Sequence, residues 1–135
     1  MIVITSEDNI CRLTMAPTCD PSRYAGFEVG AWADIGHGRF DAVNRDVNFL
    51  NIDAFVDEFD KFIMERSRVP CLKGTYDTYI RFVGSGTAVH CEYRLGDAYC
   101  GQGAAEFYQS GRFRVENDGL LELLQRFRQV LAEHT

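Results

Sequence analysis

The sequence lacks a long hydrophobic run, a surplus of basic residues and a paired-cysteine motif, and each absence excludes a class of protein. No apolar stretch approaches the roughly 20 residues that cross a bilayer, so we expect no membrane partner. A net charge of -6 and a pI near 5.0 argue against non-specific binding to nucleic acid or to anionic lipid. The five cysteines form an odd set without a C-x-x-C pair, which favours reduced thiols over a disulfide framework or a zinc ribbon.

The first residues also lack the basic leader and the small-residue cleavage site of a secretory signal. We therefore expect a cytoplasmic protein. Its 135 residues, numbered 1–135, are predicted to form one domain.

No motif for nucleotide, metal or thiol chemistry is complete in this sequence. The glycine-rich stretches "GSGTAVH" and "GDAYCGQG" match neither of the phosphate-binding glycine patterns that open a helix. Asp34, His37 and Asp41 are residue types that bind transition metals, but without a paired histidine they fit a polar hairpin tip better. Cys100 is the best candidate for an accessible thiol, yet it has no basic neighbour that would activate it. We predict no catalytic residue, no metal site and no cofactor, and a protein that is not an enzyme.

The stretch "TAVHCEYRL" places His90, Cys91 and Glu92 side by side. Consecutive side chains on a strand point to opposite faces, so a cysteine and a histidine in this order cannot form a nucleophile pair. Cys91 is predicted to lie in the core, whereas His90 and Glu92 are predicted to form ordinary cross-strand polar contacts on the solvated face.

Strand patterns occur in two groups, and each group is followed by a helix pattern. The runs "IVIT" and "ICRLTM" predict an opening hairpin, and "YAGFEVGAWA" with "RFDAVNRDVNFL" predicts a second one. The runs "YDTYIRFV" and "TAVHCEYRL" continue an antiparallel meander, which "AAEFYQ" and "RFRVE" complete as two strands joined around Ser110 and Gly111.

Two segments have the apolar spacing of amphipathic helices. Asn51 is a candidate cap for the first, and Asn117 or Asp118 for the second. The two stripes comprise Ile52, Phe55, Val56, Phe59, Phe62 and Ile63, and then Leu120, Leu123, Leu124, Phe127, Val130 and Leu131. The predicted fold is α+β, a curled antiparallel β-sheet of about seven to eight strands packed by two helices, at about residues 52–66 and 119–133.

An aromatic strip on one predicted strand is suited to binding a partner. Tyr24, Glu28 and Trp32 share the parity opposite to the core-facing residues, and the glycines between them flatten this face. Trp and Tyr bury much area at little cost in side-chain entropy, so we predict that this strip contacts a protein partner. The alternatives are that a neighbouring element covers the strip, or that it forms a homodimer contact.

An acidic stripe on the first helix is the second predicted contact surface. Asp53, Asp57 and Asp60 lie within one angular sector of the helix, where they would steer a basic partner towards it. The alternative is an ordinary solvated face, on which Asp57 pairs with Lys61 and Asp53 lies at the positive end of the helix dipole.

The segment "FEVGAWADIGHGRFDAVNRDVNFLNIDAFVDEFDKFI", with "YIRFVGSGTAVHCEYRL" and "LLELLQRFRQVL" after it, resembles the WapI-type bacterial immunity proteins and related small bacterial domains. The resemblance covers residues 25–133 and leaves the opening hairpin without a counterpart. It implies a non-enzymatic protein that binds a toxin domain and blocks it. No functional residue is carried over, because immunity surfaces differ with the toxin that they meet.

The function predicted from the sequence is therefore stoichiometric binding, most simply by an immunity protein that neutralises a toxin with a basic surface. The alternative function is a small-molecule binding or accessory domain with a pocket inside the curled sheet.

Overall fold

The computed structural model describes residues 1–18, 26–96 and 107–134, which form two four-stranded antiparallel sheets and two α-helices. Each sheet holds its strands in chain order, and one helix follows each sheet. The α+β class, the hairpins and the two helices are confirmed. The elements are β1 (Ile2–Thr5), β2 (Cys11–Pro17), β3 (Gly26–Asp34), β4 (Arg39–Asn48), α1 (Ile52–Met64), β5 (Cys71–Lys73), β6 (Tyr79–Ser85), β7 (Ala88–Gly96), β8 (Tyr108–Val115) and α2 (Leu120–His134).

The prediction of one curled sheet of seven to eight strands is wrong, because β1 to β4 and β5 to β8 form separate sheets. Several short contacts join them, among them the hydrogen bond of 2.6 Å from Asn44 Nδ2 to the carbonyl of Gly96, and two involve the main chain of both halves. One is an isolated bridge between Phe49 and Gly74, and the other is a hydrogen bond of 2.9 Å from the amide of Glu7 to the carbonyl of Arg114. A Cβ atom on Gly74 would lie 3.0 Å from the side chain of Val47, so the two segments of the chain approach closely here. They do not pair further as a ladder.

The hydrophobic core includes residues from the inner faces of both sheets and from both helices. On β3 the predicted parity is confirmed, because Phe27, Val29 and Ala31 are buried. Four phenylalanines form an aromatic cluster in which the ring centroids of Phe59 and Phe82 are 4.9 Å apart and those of Phe55 and Phe127 are 4.8 Å apart. They are Phe55, Phe59, Phe82 and Phe127.

Both helices begin and end within two residues of the predicted limits, but their first turns differ from the prediction. The side chain of Asn51 makes no capping bond. Instead its Nδ2 donates to the carbonyl of Cys71 at 2.9 Å, and its Oδ1 accepts from the amide of Lys73 at 2.8 Å. The start of α1 is therefore attached to β5, a three-residue strand that the sequence patterns did not predict. A 3-10 turn, Asn117–Gly119, precedes α2 where a cap was expected.

The predicted break at Ser110 and Gly111 is also wrong, because β8 continues through both residues. Gly111 pairs with Tyr93 of β7, and a Cβ atom on Gly111 would lie 2.6 Å from Cε1 of that tyrosine. This glycine therefore leaves room for a buried ring in the middle of a strand and does not mark a turn.

Candidate functional site

The predicted aromatic strip lies on the outer face of the first sheet. Glu28 is exposed there, and Trp32 is half-buried. The guanidinium carbon of Arg12, on the neighbouring strand, lies 5.2 Å from the centroid of the Trp32 ring. The Trp32 ring is thus partly covered by Arg12, which makes a cation–π contact with it. Tyr24 lies outside the described residues.

The acidic stripe is exposed on α1, and two of its three carboxylates already have a cation. Asp57 Oδ2 lies 3.1 Å from Lys61 Nζ, and Asp60 Oδ2 lies 3.2 Å from Arg128 Nη2 of α2. Such exposed pairs contribute at most about 1 kcal/mol each, but they reduce the local negative charge. Among the described residues, no hydrogen bond or ion pair links Asp53, Asp57 or Asp60 to the aromatic strip. The structure places the two sets on different elements, each on a side that faces away from the core.

A third surface, which the sequence analysis did not single out, covers the outer face of the second sheet. The residues that alternate with its buried positions are polar, charged or aromatic, and cross-strand pairing aligns them in rows. We call this surface the arginine–tyrosine face. It comprises Lys73, Tyr79, Arg81, Glu92, Arg94, Tyr108, Arg112 and Arg114.

The arginine–tyrosine face is positively charged, although the chain has a net charge of -6. It holds five cations and one carboxylate, Glu92, and beside it Glu7 pairs with Arg114 at 2.9 Å, so the cations remain in excess. Arg81 Nε lies 2.7 Å from Glu92 Oε1, and Arg112 Nε lies 3.5 Å from Glu92 Oε2. The hydrogen bond to Glu92 raises the pKa of Arg81 above its ordinary value. One carboxylate therefore holds two arginines in place without neutralising the face.

Arg94 lies between two tyrosine rings of this face. Its guanidinium carbon lies 4.8 Å from the ring centroid of Tyr108 and 5.9 Å from that of Tyr79. The Nε atom of Arg94 is buried and has no hydrogen-bond partner among the described residues. The hydroxyl of Tyr108 donates to Asp77 Oδ2 at 3.4 Å. The backbone of Asp77 lies in the left-handed region at a φ of 56°. Two tyrosine rings thus orient an arginine for which no ion pair is found among the described residues.

In "TAVHCEYRL", Cys91 and Glu92 are arranged as predicted, but His90 makes no polar contact among the described residues, and its Nδ1 is buried without a hydrogen-bond partner there. Cys91 is fully buried in the core, and this burial raises the pKa of its thiol far above the ordinary value. Glu92 contacts arginines across the strands, and His90 pairs in register with Val83 and Arg114. The trio therefore offers no nucleophile and base in contact.

The other chemical candidates are structural where they are described. Asp34 Oδ1 accepts a hydrogen bond of 3.0 Å from the amide of Gly36, so this carboxylate stabilises the β3–β4 turn. Within residues 1–18, 26–96 and 107–134, no group of three His, Cys, Asp or Glu side chains could hold a metal ion. Cys100 lies outside the described residues. In the same part of the chain, no helix is long and apolar enough to cross a membrane.

Comparisons with known proteins do not place the chain in a family. No protein-family model matches it, and neither a curated protein nor a solved structure matches it.

Proposed function

We propose that this chain is a non-catalytic binding protein that associates stoichiometrically with another protein through its arginine–tyrosine face. The observation that carries the proposal is Arg94, which lies between two tyrosine rings and has no ion pair among the described residues. A partner carboxylate placed against the outer edge of this guanidinium would gain a charge-assisted hydrogen bond.

The residue types of this face support a protein contact. Arginine and tyrosine are enriched at the energetic centres of interfaces, because each buries a large area and can also form hydrogen bonds. The rows of the second sheet hold them on a rigid surface, so little ordering is needed on binding. The positive charge of the face favours an acidic partner surface.

An acidic protein surface fits this face better than single-stranded nucleic acid does. Bases stack on open aromatic rings, but Tyr79 is flanked by Arg81 and Arg94, and Tyr108 by Arg94. Glu92 lies among the arginines, where it would repel a phosphate backbone. A protein carboxylate can bind one guanidinium at a time and avoid that repulsion.

The biological role that we propose is that of an immunity protein. It is supported by the resemblance to the WapI-type immunity proteins, which act by binding a toxin domain and blocking it. Occlusion of an acidic region of the toxin by the arginine–tyrosine face would serve that purpose. The contact surfaces first predicted, Tyr24, Glu28 and Trp32 with Asp53, Asp57 and Asp60, stay predictions of a basic partner. Neighbouring cations contact Trp32, Asp57 and Asp60.

The alternative of a small-molecule pocket inside the sheet also has less support. The inner faces of both sheets carry buried core side chains, including Phe27 and Met15 on the first and Phe82 and Phe113 on the second. These side chains occupy the space in which such a ligand would lie.

The proposal is tested by co-expression with the product of the neighbouring gene, taken as the candidate toxin, and by measuring growth. We expect rescue by the unaltered protein and loss of rescue with Arg94→Glu. The matched control is Arg12→Glu, which makes the same charge change at an arginine of the first sheet that also stacks on an aromatic ring. Asp53→Lys tests the acidic stripe in the same assay.

Each variant separates one surface from another. Loss of rescue with Arg12→Glu or Asp53→Lys, but not with Arg94→Glu, would contradict the arginine–tyrosine face and restore the surfaces predicted from the sequence. Absence of toxicity, or of any rescue, would contradict the immunity role. Tight binding of a labelled single-stranded oligonucleotide that Arg94→Glu abolishes would replace the protein partner with nucleic acid.

A further inference from the structure

A cleft of about 440 Å³ lies between β1 and the segment that joins β8 to α2. Its volume falls within the roughly 300–1,000 Å³ of ligand-binding clefts. Apolar groups from Val3, Val115, Leu120 and Leu123 line it. Val3 is 44% exposed, so one wall of the cleft is open to a partner.

The main chain of β1 presents unpaired groups to this cleft. β1 is an edge strand, and β2 is its neighbour in the sheet. The amide of Ser6 donates to the carbonyl of Cys11 at 2.9 Å, and hydrogen-bonded pairs alternate along an antiparallel ladder. The amides and carbonyls of Ile2 and Ile4 therefore form hydrogen bonds with β2, whereas those of Val3 and Thr5 point away from it.

Glu7 shows that this edge can bind another main chain. By the same alternation its amide points away from β2, and it donates to the carbonyl of Arg114 at 2.9 Å. Val3 and Thr5 continue the row of outward donors, and no backbone partner is found for them among the described residues. This row of outward-pointing groups is therefore hydrogen-bonded at Glu7, whereas its groups on β1 can still bind another main chain.

The charges of the cleft indicate what could occupy it. Its lining includes Glu7, Glu116 and Glu122 against one cationic side chain, Arg126, and the amino terminus of Met1. Glu7 is paired with Arg114 at 2.9 Å and Glu122 with Arg126 at 4.0 Å, whereas Glu116 has no ion pair among the described residues. An acidic rim around an apolar floor favours a segment that carries basic residues between apolar ones. A second copy of this chain would bring the same glutamates against each other, which opposes pairing of two β1 edges.

We propose that this cleft is a strand-addition site, at which an extended segment of a partner protein with alternating apolar and basic residues pairs with β1 as a fifth strand of the first sheet. The outward groups of Val3 and Thr5 bind the main chain of the segment, its apolar side chains contact the floor, and its basic side chains meet the acidic rim. The site uses the opening hairpin and adjoins the arginine–tyrosine face at Arg114, which contacts Glu7.

The test uses a blocked valine–lysine hexapeptide of alternating sequence as the probe, titrated into the full chain. Hydrogen exchange at single amides is the first readout. Saturating peptide should slow exchange at Val3 and Thr5 at least tenfold and leave Ile2 and Ile4 unchanged, because these two amides already bond to β2. Two N-methylated peptides, one blocked at the valine amides and the other at the lysine amides, should differ, with one of them no longer binding.

Variants then test the main chain and the charge separately. Val3→Pro removes an outward donor while the bonds of Ile2 and Ile4 remain, and it should weaken peptide binding about five- to tenfold. Glu116→Lys should weaken it as well, whereas Asp53→Lys on α1, its matched control, should not. Arg94→Glu should leave peptide binding unchanged, so this site and the proposed function fail independently.

Three results would overturn the strand-addition site. The first is no peptide binding at millimolar concentration, or binding that leaves exchange at Val3 and Thr5 unaltered. The second is equal binding of both N-methylated peptides. The third is a dimer of the unaltered protein that Val3→Pro converts to a monomer, which would make a second copy the occupant of this edge.

Discussion

Replacement of Gly111 by alanine tests why β8 carries a glycine in its middle. The added Cβ would lie 2.6 Å from Cε1 and 2.8 Å from the hydroxyl oxygen of Tyr93, so the ring must move. That ring is 7% exposed and its hydroxyl donates to Gln109 Oε1 at 3.0 Å. Overpacking of this kind costs about 1–3 kcal/mol, and alanine regains about 0.5–1 kcal/mol over glycine inside a strand. We expect Gly111→Ala to lower the free energy of unfolding by about 0.5–2 kcal/mol.

The assay is urea unfolding of a double-mutant cycle with Tyr93→Ala. Without the tyrosine ring, Gly111→Ala should be neutral or stabilising by up to about 1 kcal/mol. Gly86 is the control, because its φ of 62° in the β6–β7 turn makes Gly86→Ala costly whether or not the ring is present. If Gly111→Ala costs as much in the Tyr93→Ala background as in the unaltered protein, the reasoning is refuted and Gly111 needs a turn conformation.

Three further predictions concern the core. Burial raises the pKa of Tyr93 to about 12 from an ordinary 10.0, so its contribution to stability should be present below pH 10.0 and be lost as the pH rises towards 12. Tyr93→Phe should flatten the fall of the urea midpoint over this range, and an unchanged fall would contradict it. Phe59→Ala should cost about 3–5 kcal/mol in urea unfolding against about 0.5 kcal/mol or less for exposed Leu121→Ala, and similar costs would be inconsistent with the aromatic cluster. The Cys91 thiol should resist a disulfide reagent at pH 8 until the protein unfolds, whereas rapid native labelling at this residue would show that it is accessible.

The local periods of the sequence were enough to predict the hairpins and helices. The alternation that buries Phe27 and Val29 on β3 can be read from one short stretch of sequence. The same holds for the helical spacing that buries Phe55 and Phe59. The core position of Cys91 follows from the same alternation.

The features that the sequence did not reveal depend on contacts between distant residues. The sequence does not show that the two sheets meet at an isolated bridge between Phe49 and Gly74 and form no common ladder. Asn51 resembles a cap, but the backbone of β5 competes for its side chain. Gly111 resembles a turn residue until its pairing with Tyr93 is known.

The arginine–tyrosine face was missed because the net charge of a chain does not describe its surface. Its signal was present as alternation, since Arg112 and Arg114 flank the buried Phe113 just as Glu92 and Arg94 flank the buried Tyr93. Strand register is needed to bring these residues together, and single-strand patterns do not give it. The acidic residues elsewhere outweigh the five cations of the face and give a net charge of -6.

The most direct test of stoichiometric binding through the arginine–tyrosine face is titration calorimetry of the purified protein against the product of the neighbouring gene. We expect one partner per chain. Arg94→Glu should weaken binding about 30-fold or more, as expected for a residue worth at least about 2 kcal/mol at the centre of an interface. Arg12→Glu should leave the affinity within about twofold, since exposed charges outside an interface contribute little. Equal affinities for the unaltered protein and Arg94→Glu, or no binding at all, would contradict the account.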